Sequence, residues 1–218
     1  MKTAVILAGG LGTRLGMSGT PKAMLGIDGK TLIQHQLDWL AEIGYETVIL
    51  CLGYKGELVT YSPPPLIKKI IRSIEEEPLG TAGAIRLAYD NYDEFFEEGV
   101  LIVNVDDLCF HPLIEKSKLP LNIPAIITKK IPYSVWIEGT IFSQNEARQH
   151  IGHTWIPVNY LSKLPEKESL EKCLAMWSKE GKVASIDTED EWYTMNSKKQ
   201  WMEAKQKWKE DHTGANSV

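Results

Sequence analysis

The sequence predicts an α/β fold: a single domain built on a mainly parallel, doubly wound, Rossmann-like sheet. Short apolar runs alternate with helix-period segments from the first residues onward. The first run ends in a glycine cluster, as a buried parallel strand feeding a ligand loop does. No linker, internal repeat or low-complexity tract divides the 218 residues. One domain over residues 1–210 is therefore expected, with residues 211–218 as a frayed polar tail.

Each element has a local reason. Residues 2–7 (KTAVIL) form a strand. Thr31 and Gln34 form a capping box for a helix whose Ile33, Leu37, Leu40 and Ile43 share one face, and Gly44 stops it. Residues 47–52 (TVILCL) are a second buried strand. A short helix near 55–61 is broken by Pro63-Pro64-Pro65, and 67–74 is the third strand. A helix over 82–89 and a strand over 100–105 follow. Strands are expected at 124–129, 133–137 and 140–143, the last two joined through Glu138-Gly139 in a tight turn. Residues 166–179 read as a helix with Leu170, Leu174 and Trp177 on one face. Short strands at 183–186 and 192–195 precede a final helix opened by a Ser197–Gln200 capping box.

Composition excludes several classes. Hydrophobic residues make up 43% and charged residues 24%, ordinary for a globular chain. No 18-residue apolar run exists, and the apolar stretch of MKTAVILA ends too soon at Gly9-Gly10 for a signal peptide. A net charge of −5 without a basic block lacks the footprint of a nucleic-acid binder. Cys51, Cys109 and Cys173 are unclustered, which argues against a disulfide framework or structural zinc. A cytoplasmic protein with no membrane or nucleic-acid partner is expected.

The most informative stretch is Leu7-Ala8-Gly9-Gly10-Leu11-Gly12-Thr13-Arg14. Glycines directly after a strand let backbone amides approach an anion, and Arg14 adds a fork suited to phosphate oxygens. A dinucleotide fingerprint fails, because Leu15 holds its third glycine place and the second strand ends without an acidic residue. A P-loop fails because Met24 holds the first glycine place ahead of Gly29-Lys30-Thr31. Asp28-Gly29 is better read as a hairpin turn before the capped helix.

The longer pattern LAGGLGTRL, followed by Pro21-Lys22, resembles the signature loop of the sugar-1-phosphate nucleotidyltransferases, the family of the mannose-1-phosphate guanylyltransferases and glucose-1-phosphate uridylyltransferases. Glu77-Pro78-Leu79-Gly80-Thr81-Ala82-Gly83-Ala84 resembles the family segment that lies against base and ribose, and Val103-Asn104-Val105-Asp106 its strand-ending metal aspartate, with Val105 where glycine is usual. The resemblance covers residues 1 to about 110. It implies the nucleotide-diphospho-sugar transferase type of sheet and the joining of an NTP to a sugar-1-phosphate with release of pyrophosphate. The nucleobase leans to guanine, else uracil or cytosine. Leu7, Ala8, Gly9, Gly10, Gly12, Thr13, Glu77, Gly80 and Thr81 would bind nucleotide. Arg14 and Lys22 would be catalytic and Asp106 would hold Mg²⁺, with Asp107 as a second candidate. Such chemistry needs no covalent intermediate; its obstacle is the meeting of two polyanions.

The second half departs from the pattern. No lysine stands in Phe142-Ser143-Gln144-Asn145-Glu146, where the family's sugar-phosphate lysine is sought, and Thr194 falls where its second metal aspartate belongs. Asp187 or Asp190 is the substitute if that register is wrong. Two alternatives follow: a non-catalytic nucleotide- or sugar-nucleotide-binding regulatory paralogue, or a cytidylyltransferase acting on phosphocholine. His150 and His153, three apart with no third ligand nearby, read as ordinary polar residues rather than zinc ligands, with His153 able to touch a sugar hydroxyl and Trp155 to line a sugar pocket. No G-x-S-x-G elbow supports a serine hydrolase. Glu75 and Glu76 read as a solvated strand end. Trp177 and Trp201 are expected in the core. Trp201 and Trp208 on the last helix would pack on the core or support a homodimer. The length implies the minimal one-domain form.

Overall fold

Strand β1 (Thr3–Leu7) is buried at every position because it runs through the middle of an eight-stranded sheet. The structure, a computed structural model, describes residues 2–10, 19–112, 114, 118–120, 122–131, 140–142 and 147–213. A two-residue hairpin, β2 (Gly26–Ile27) and β3 (Lys30–Thr31), turns through Asp28 and Gly29, both at positive φ, as the Asp-Gly pair demands. Helix α1 (Leu32–Glu42) starts at once, with the Thr31 hydroxyl accepting from Gln34 N at 3.3 Å. Only half of the expected capping box forms. The Gln34 amide donates to Asp38 and to the Ser62 carbonyl instead of returning to Thr31. Strand β4 (Thr47–Leu52) follows, then a single 3-10 turn at Gly56–Leu58 where a longer helix was expected, then β5 (Lys69–Ile74), α2 (Gly80–Asn91) and β6 (Gly99–Asn104).

These strands set the architecture. β1 pairs in parallel with β4 on one side and β6 on the other, and β4 pairs in parallel with β5. The chain therefore builds outward from β1 to β5 and then returns across it, so the strand order reverses at β1. In open α/β sheets a ligand crevice forms at such a reversal, outside the carboxyl ends of the strands.

The second half closes the other edge. It supplies β7 (Asp107–Cys109), β8 (Ala125–Ile131), β9 (Thr140–Phe142), β10 (Ala147–Pro157), α3 (Val158–Leu161), α4 (Leu170–Lys179), β11 (Ala184–Asp187), β12 (Trp192–Thr194) and α5 (Lys198–Thr213). The sheet order is β11-β8-β10-β6-β1-β4-β5, with β9 added to β10. Pairings of β10 with β6, β8 and β9 are antiparallel and β11 with β8 is parallel, so the sheet is mostly parallel, as expected. Helix α4 starts at Leu170 rather than 166, because the Ser169 hydroxyl caps it by accepting from Lys172 N. The expected 133–137 strand and the Glu138-Gly139 turn lie outside the described residues, as do residues 143–146.

Alternation along the strands splits the core in two. Ala4, Ile6, Val48 and Leu50 face α1 and α5, whereas Val5, Leu7, Ile49 and Cys51 face α2, α3 and α4. Trp177 and Trp208 are buried and Trp201 packs on the same core as Trp208, so the tryptophans of α5 join the core. That helix continues to Thr213, past the expected fraying point. Asp211 accepts from the Tyr193 hydroxyl and the His212 ring stacks on Trp208. Among the described residues no helix is long and apolar enough to cross a membrane.

Candidate active site

The carboxyl ends of β1, β4, β5 and β6 open into one cleft of about 600 Å³. Its floor is backbone. Ala8 N donates to Cys51 O, Val105 N to Leu7 O and Glu75 N to Leu52 O, so the segments leaving the four strands are tied together. Gly9 and Gly53 lie so close that a Cβ on Gly53 would stand 2.9 Å from Gly9 O and 2.5 Å from Glu75 Oε1. Glycine is required there by close approach, with no need for an unusual φ.

Lys22 enters from the side. Pro21 is extended and a single 3-10 turn, Lys22–Met24, follows, pinned by the fully buried Ala23 and by Leu25. That fixes the Lys22 backbone and aims its side chain into the cleft, where Nζ ion-pairs with Asp106 and donates to Asn196 Oδ1 at 3.2 Å. Asp106 follows β6 and faces the cleft. Its neighbour Asp107 faces away, almost fully buried, and accepts from Trp192 Nε1, Asn104 Nδ2 and the Thr194 hydroxyl. Burial, and then the adjacent charge of Asp106, raise the Asp107 carboxyl well above the usual range, against the pull of those three donors. Gln36 of α1, completely buried, donates to the carbonyls of Asn104 and Asp107 and so locks the turn that presents both aspartates.

The opposite wall is α2 and α4. Gly80 opens α2 at φ +76°, where a Cβ would stand 2.5 Å from Glu168 O. Ala82 N donates to that carbonyl, and the Thr81 hydroxyl accepts from Leu170 N and donates to Glu171. The glycines of this segment thus admit the chain's own 166–169 stretch, a role the sequence did not suggest. Glu77 is exposed and pairs with Lys167.

Leu7, Ala8, Gly9, Gly10, Lys22, Glu77, Gly80, Thr81 and Asp106 all line the cleft. Gly12, Thr13 and Arg14 lie outside the described residues. Glu75, read as solvated, is half-buried and faces the cleft. Its Oε2 accepts from Leu79 N, and burial raises its carboxyl above the ordinary value. Cys51 also lines the cleft, but burial first and Glu75 second push its thiol up to about 12, so it is no thiolate nucleophile.

Four expectations are corrected. Thr194 pairs with Asp107 across β12 and β7 and does not line the cleft. Asp187 is held by Arg148 and Thr128, and Asp190 by Thr188, so neither replaces a second cleft carboxylate. His153 is fully buried, bonded to His111 and to Asp107 O and stacked on Trp39, out of reach of any sugar. Trp155 lies on β10 between β6 and β8, away from the cleft. His150 is occupied by His153 O and the Thr154 hydroxyl, and among the described residues no cluster of three metal-ligand side chains occurs.

Known proteins share this fold. A family model described as the MobA-like NTP transferase domain matches residues 4–117. A D-glycero-alpha-D-manno-heptose 1-phosphate guanylyltransferase of Aneurinibacillus thermoaerophilus is 43% identical over 129 residues, 57% of this chain and 55% of that protein. The mannose-1-phosphate guanylyltransferase catalytic subunit beta of Dictyostelium discoideum is 36% identical over 118 residues, covering 51% and 32% respectively. The matches thus span between about a third and a little over half of these relatives' length. HddC from Yersinia pseudotuberculosis, solved in complex with GMP-PN, superposes with a TM-score of 0.73 at 25% identity, over 95% of this chain and 100% of that one. A UDP-glucose pyrophosphorylase solved with UDP-glucose gives 0.71 at 18% identity, over 97% and 100%, a likeness of fold.

Proposed function

The chain belongs to the MobA-like NTP transferase domain family, and on that premise we propose that it transfers a nucleotidyl group from an NTP to a sugar-1-phosphate and releases pyrophosphate. One observation carries the reading: Lys22 and Asp106 meet as an ion pair over a glycine floor, at the point where the strand order reverses. A phosphate oxygen of the sugar-1-phosphate attacks the α-phosphorus in line, and the bond to the pyrophosphate oxygen breaks. The amides of the Gly9–Thr13 loop cradle the triphosphate, Arg14 offsets its outer phosphates, and Lys22 lies over the α-phosphate and the incoming phosphate.

Charge supports a divalent cation. Among the described lining residues Lys22 is the single cation, against Glu75, Glu76, Glu77, Asp106 and Glu171. Mg²⁺ takes one or two carboxylates and completes its shell with phosphates and water. Asp106, the cleft-facing carboxylate at the end of β6, fits that demand, and the ammonium of Lys22 already rests on it as a cation does. When bound, the ion supplies charge neutralisation between the phosphates.

Guanine is the proposed base. The guanine ring edge carries two adjacent donors, and an ionised carboxylate is an acceptor-only partner for them. Glu75 offers such a group, half-buried at the cleft floor with Oε2 partly used by Leu79 N. The guanylyltransferase names of the relatives support the same choice.

The test is pyrophosphate release with Mg²⁺ and each of ATP, GTP, CTP, UTP and dTTP, against sugar-1-phosphates and phosphocholine. Release that requires GTP and one sugar-1-phosphate together is the expected result. Silence across the panel with nucleotide binding by calorimetry would replace the transferase with a binding paralogue.

A further inference from the structure

Asn196 lies two residues beyond Thr194, the position where the resembling family carries its second metal carboxylate. It is Asn196, not Thr194, that reaches the cleft. Its Oδ1 accepts from Lys22 Nζ at 3.2 Å and its Nδ2 donates to the Thr194 hydroxyl at 2.9 Å. Thr194 in turn bonds to buried Asp107, which also takes Trp192 Nε1 and Asn104 Nδ2, each at 3.1 Å.

We propose that Asn196 is the positioning residue for Lys22, oriented by Thr194, so that a neutral amide relay holds this chain's reactive lysine in place. This rests on the nucleotidyltransferase reading of the cleft. Bond direction supports the relay. The Thr194 hydroxyl accepts from Asn196 Nδ2, which leaves Oδ1 as the acceptor turned to Lys22 Nζ. The amide is then fixed with its oxygen toward Lys22, and no flip is free.

The relay has a chemical consequence. An ammonium on a four-carbon stem is a flexible point charge with three donors. Two of its protons go to Asp106 and Asn196, which fixes the direction of the third toward the cleft. A carboxylate at position 196 would also hold the ammonium, but would cancel more of its charge and compete with the phosphate oxygens. A neutral acceptor orients Lys22 and leaves its potential to the substrate.

The experiment compares wild type with Asn196→Ala, Thr194→Val and Thr194→Ser in two readouts: steady-state kinetics, and the rate at which an amine-acylating reagent labels Lys22 by mass spectrometry, normalised to exposed Lys199. Asn196→Ala is expected to lower kcat about tenfold or more, with KM for NTP nearly unchanged, the loss of one hydrogen bond to a charged group. It is also expected to speed Lys22 labelling several-fold. Thr194→Val shifts both in the same direction, and Thr194→Ser, which restores the hydroxyl, returns them to wild-type values. Unchanged Lys22 labelling in Asn196→Ala, or equal behaviour of Thr194→Val and Thr194→Ser, overturns the inference. Wild-type protein that turns over no NTP and sugar-1-phosphate pair overturns the proposed function instead, while the labelling rates still decide the position of Lys22.

Discussion

Asp106 and Asp107 are adjacent in the chain, yet their carboxylates lie on opposite sides of it, one paired with Lys22 in the cleft and the other sealed beneath Trp192. The turn between β6 and β7 sends successive side chains to opposite faces, and Gln36 fixes that turn from α1. Two identical residue types thus receive different tasks from their surroundings. Asp106 stands at the chemistry. Asp107 satisfies three donors that would otherwise be stranded.

Substitution to asparagine should separate those tasks. Asp107→Asn places an NH₂ group against a shell made of donors, and is expected to cost about 1–3 kcal/mol of stability. Asp106→Asn leaves a partner with solvent access through the cleft, so its stability loss should be smaller while turnover collapses. Urea denaturation of both proteins beside a pyrophosphate assay checks this. Equal stability losses would mean that the burial of Asp107 has no energetic consequence.

Lys22→Ala should cost about 10²–10³ in rate, the usual effect of removing one preorganised donor from a site of developing charge. Its fold should survive, because Ala23 and Leu25, not the lysine, anchor the 3-10 turn. Initial rates with NTP and sugar-1-phosphate measure the effect, and circular dichroism checks the fold. An Ala variant with wild-type turnover removes Lys22 from the mechanism.

The front half of the molecule was legible because its signals are local. A strand ending in glycines, an Asp-Gly hairpin and a threonine cap each follow from neighbours in sequence, and β1, β4 and α1 lie where those signals put them, whereas Lys22 and Asp106 were drawn from the family resemblance. β10 was not legible. Its eleven residues include Arg148, Gln149, His150, His153 and Thr154, and neither alternation nor an apolar run marks them. His153 is buried there because His111 and the Asp107 carbonyl, from distant segments, meet its ring. Glu75 was hidden in a run of three glutamates, of which only the fold turns one inward. Asn196 was missed for the opposite reason: a family pattern drew attention to Thr194, and the side chain that reaches Lys22 is two residues on.

The buried histidines set a pH dependence. Burial holds His111, His150 and His153 below the ordinary imidazole value. An unfolded chain protonates them near pH 6.5, so below that value it binds protons that the fold refuses. Their contribution to stability is complete above about pH 6.5 and is lost as pH falls, by at most about 1.4 kcal/mol per group per pH unit. Asp107, raised by burial, acts in the opposite sense, gaining as pH falls through its folded value. Bulk melting therefore mixes two signs, whereas histidine ring resonances do not. The His153 ring signals should stay constant from pH 8 to about pH 5.5; a midpoint near 6.5 would contradict its burial.

Glu75 offers the sharpest test of base choice. Its carboxylate is pressed against Gly9 and Gly53 and held by Leu79 N, so its position is fixed before any nucleotide arrives. Burial raises its pKa because the charge is poorly solvated, and two donors from a guanine edge would restore that solvation. Uracil, with one such donor, would restore less. Glu75→Gln keeps the size and can keep the Leu79 contact through its carbonyl oxygen, but it removes the charge and sets a donor against guanine's donors. The ratio of kcat/KM for GTP over UTP should fall about tenfold or more, since sites built to pair polar groups discriminate through the groups left unpaired. Thermal stability should hold or rise, because a poorly solvated charge is gone. A preserved GTP preference in Glu75→Gln would shift base reading from this carboxylate to the backbone of the 77–84 segment.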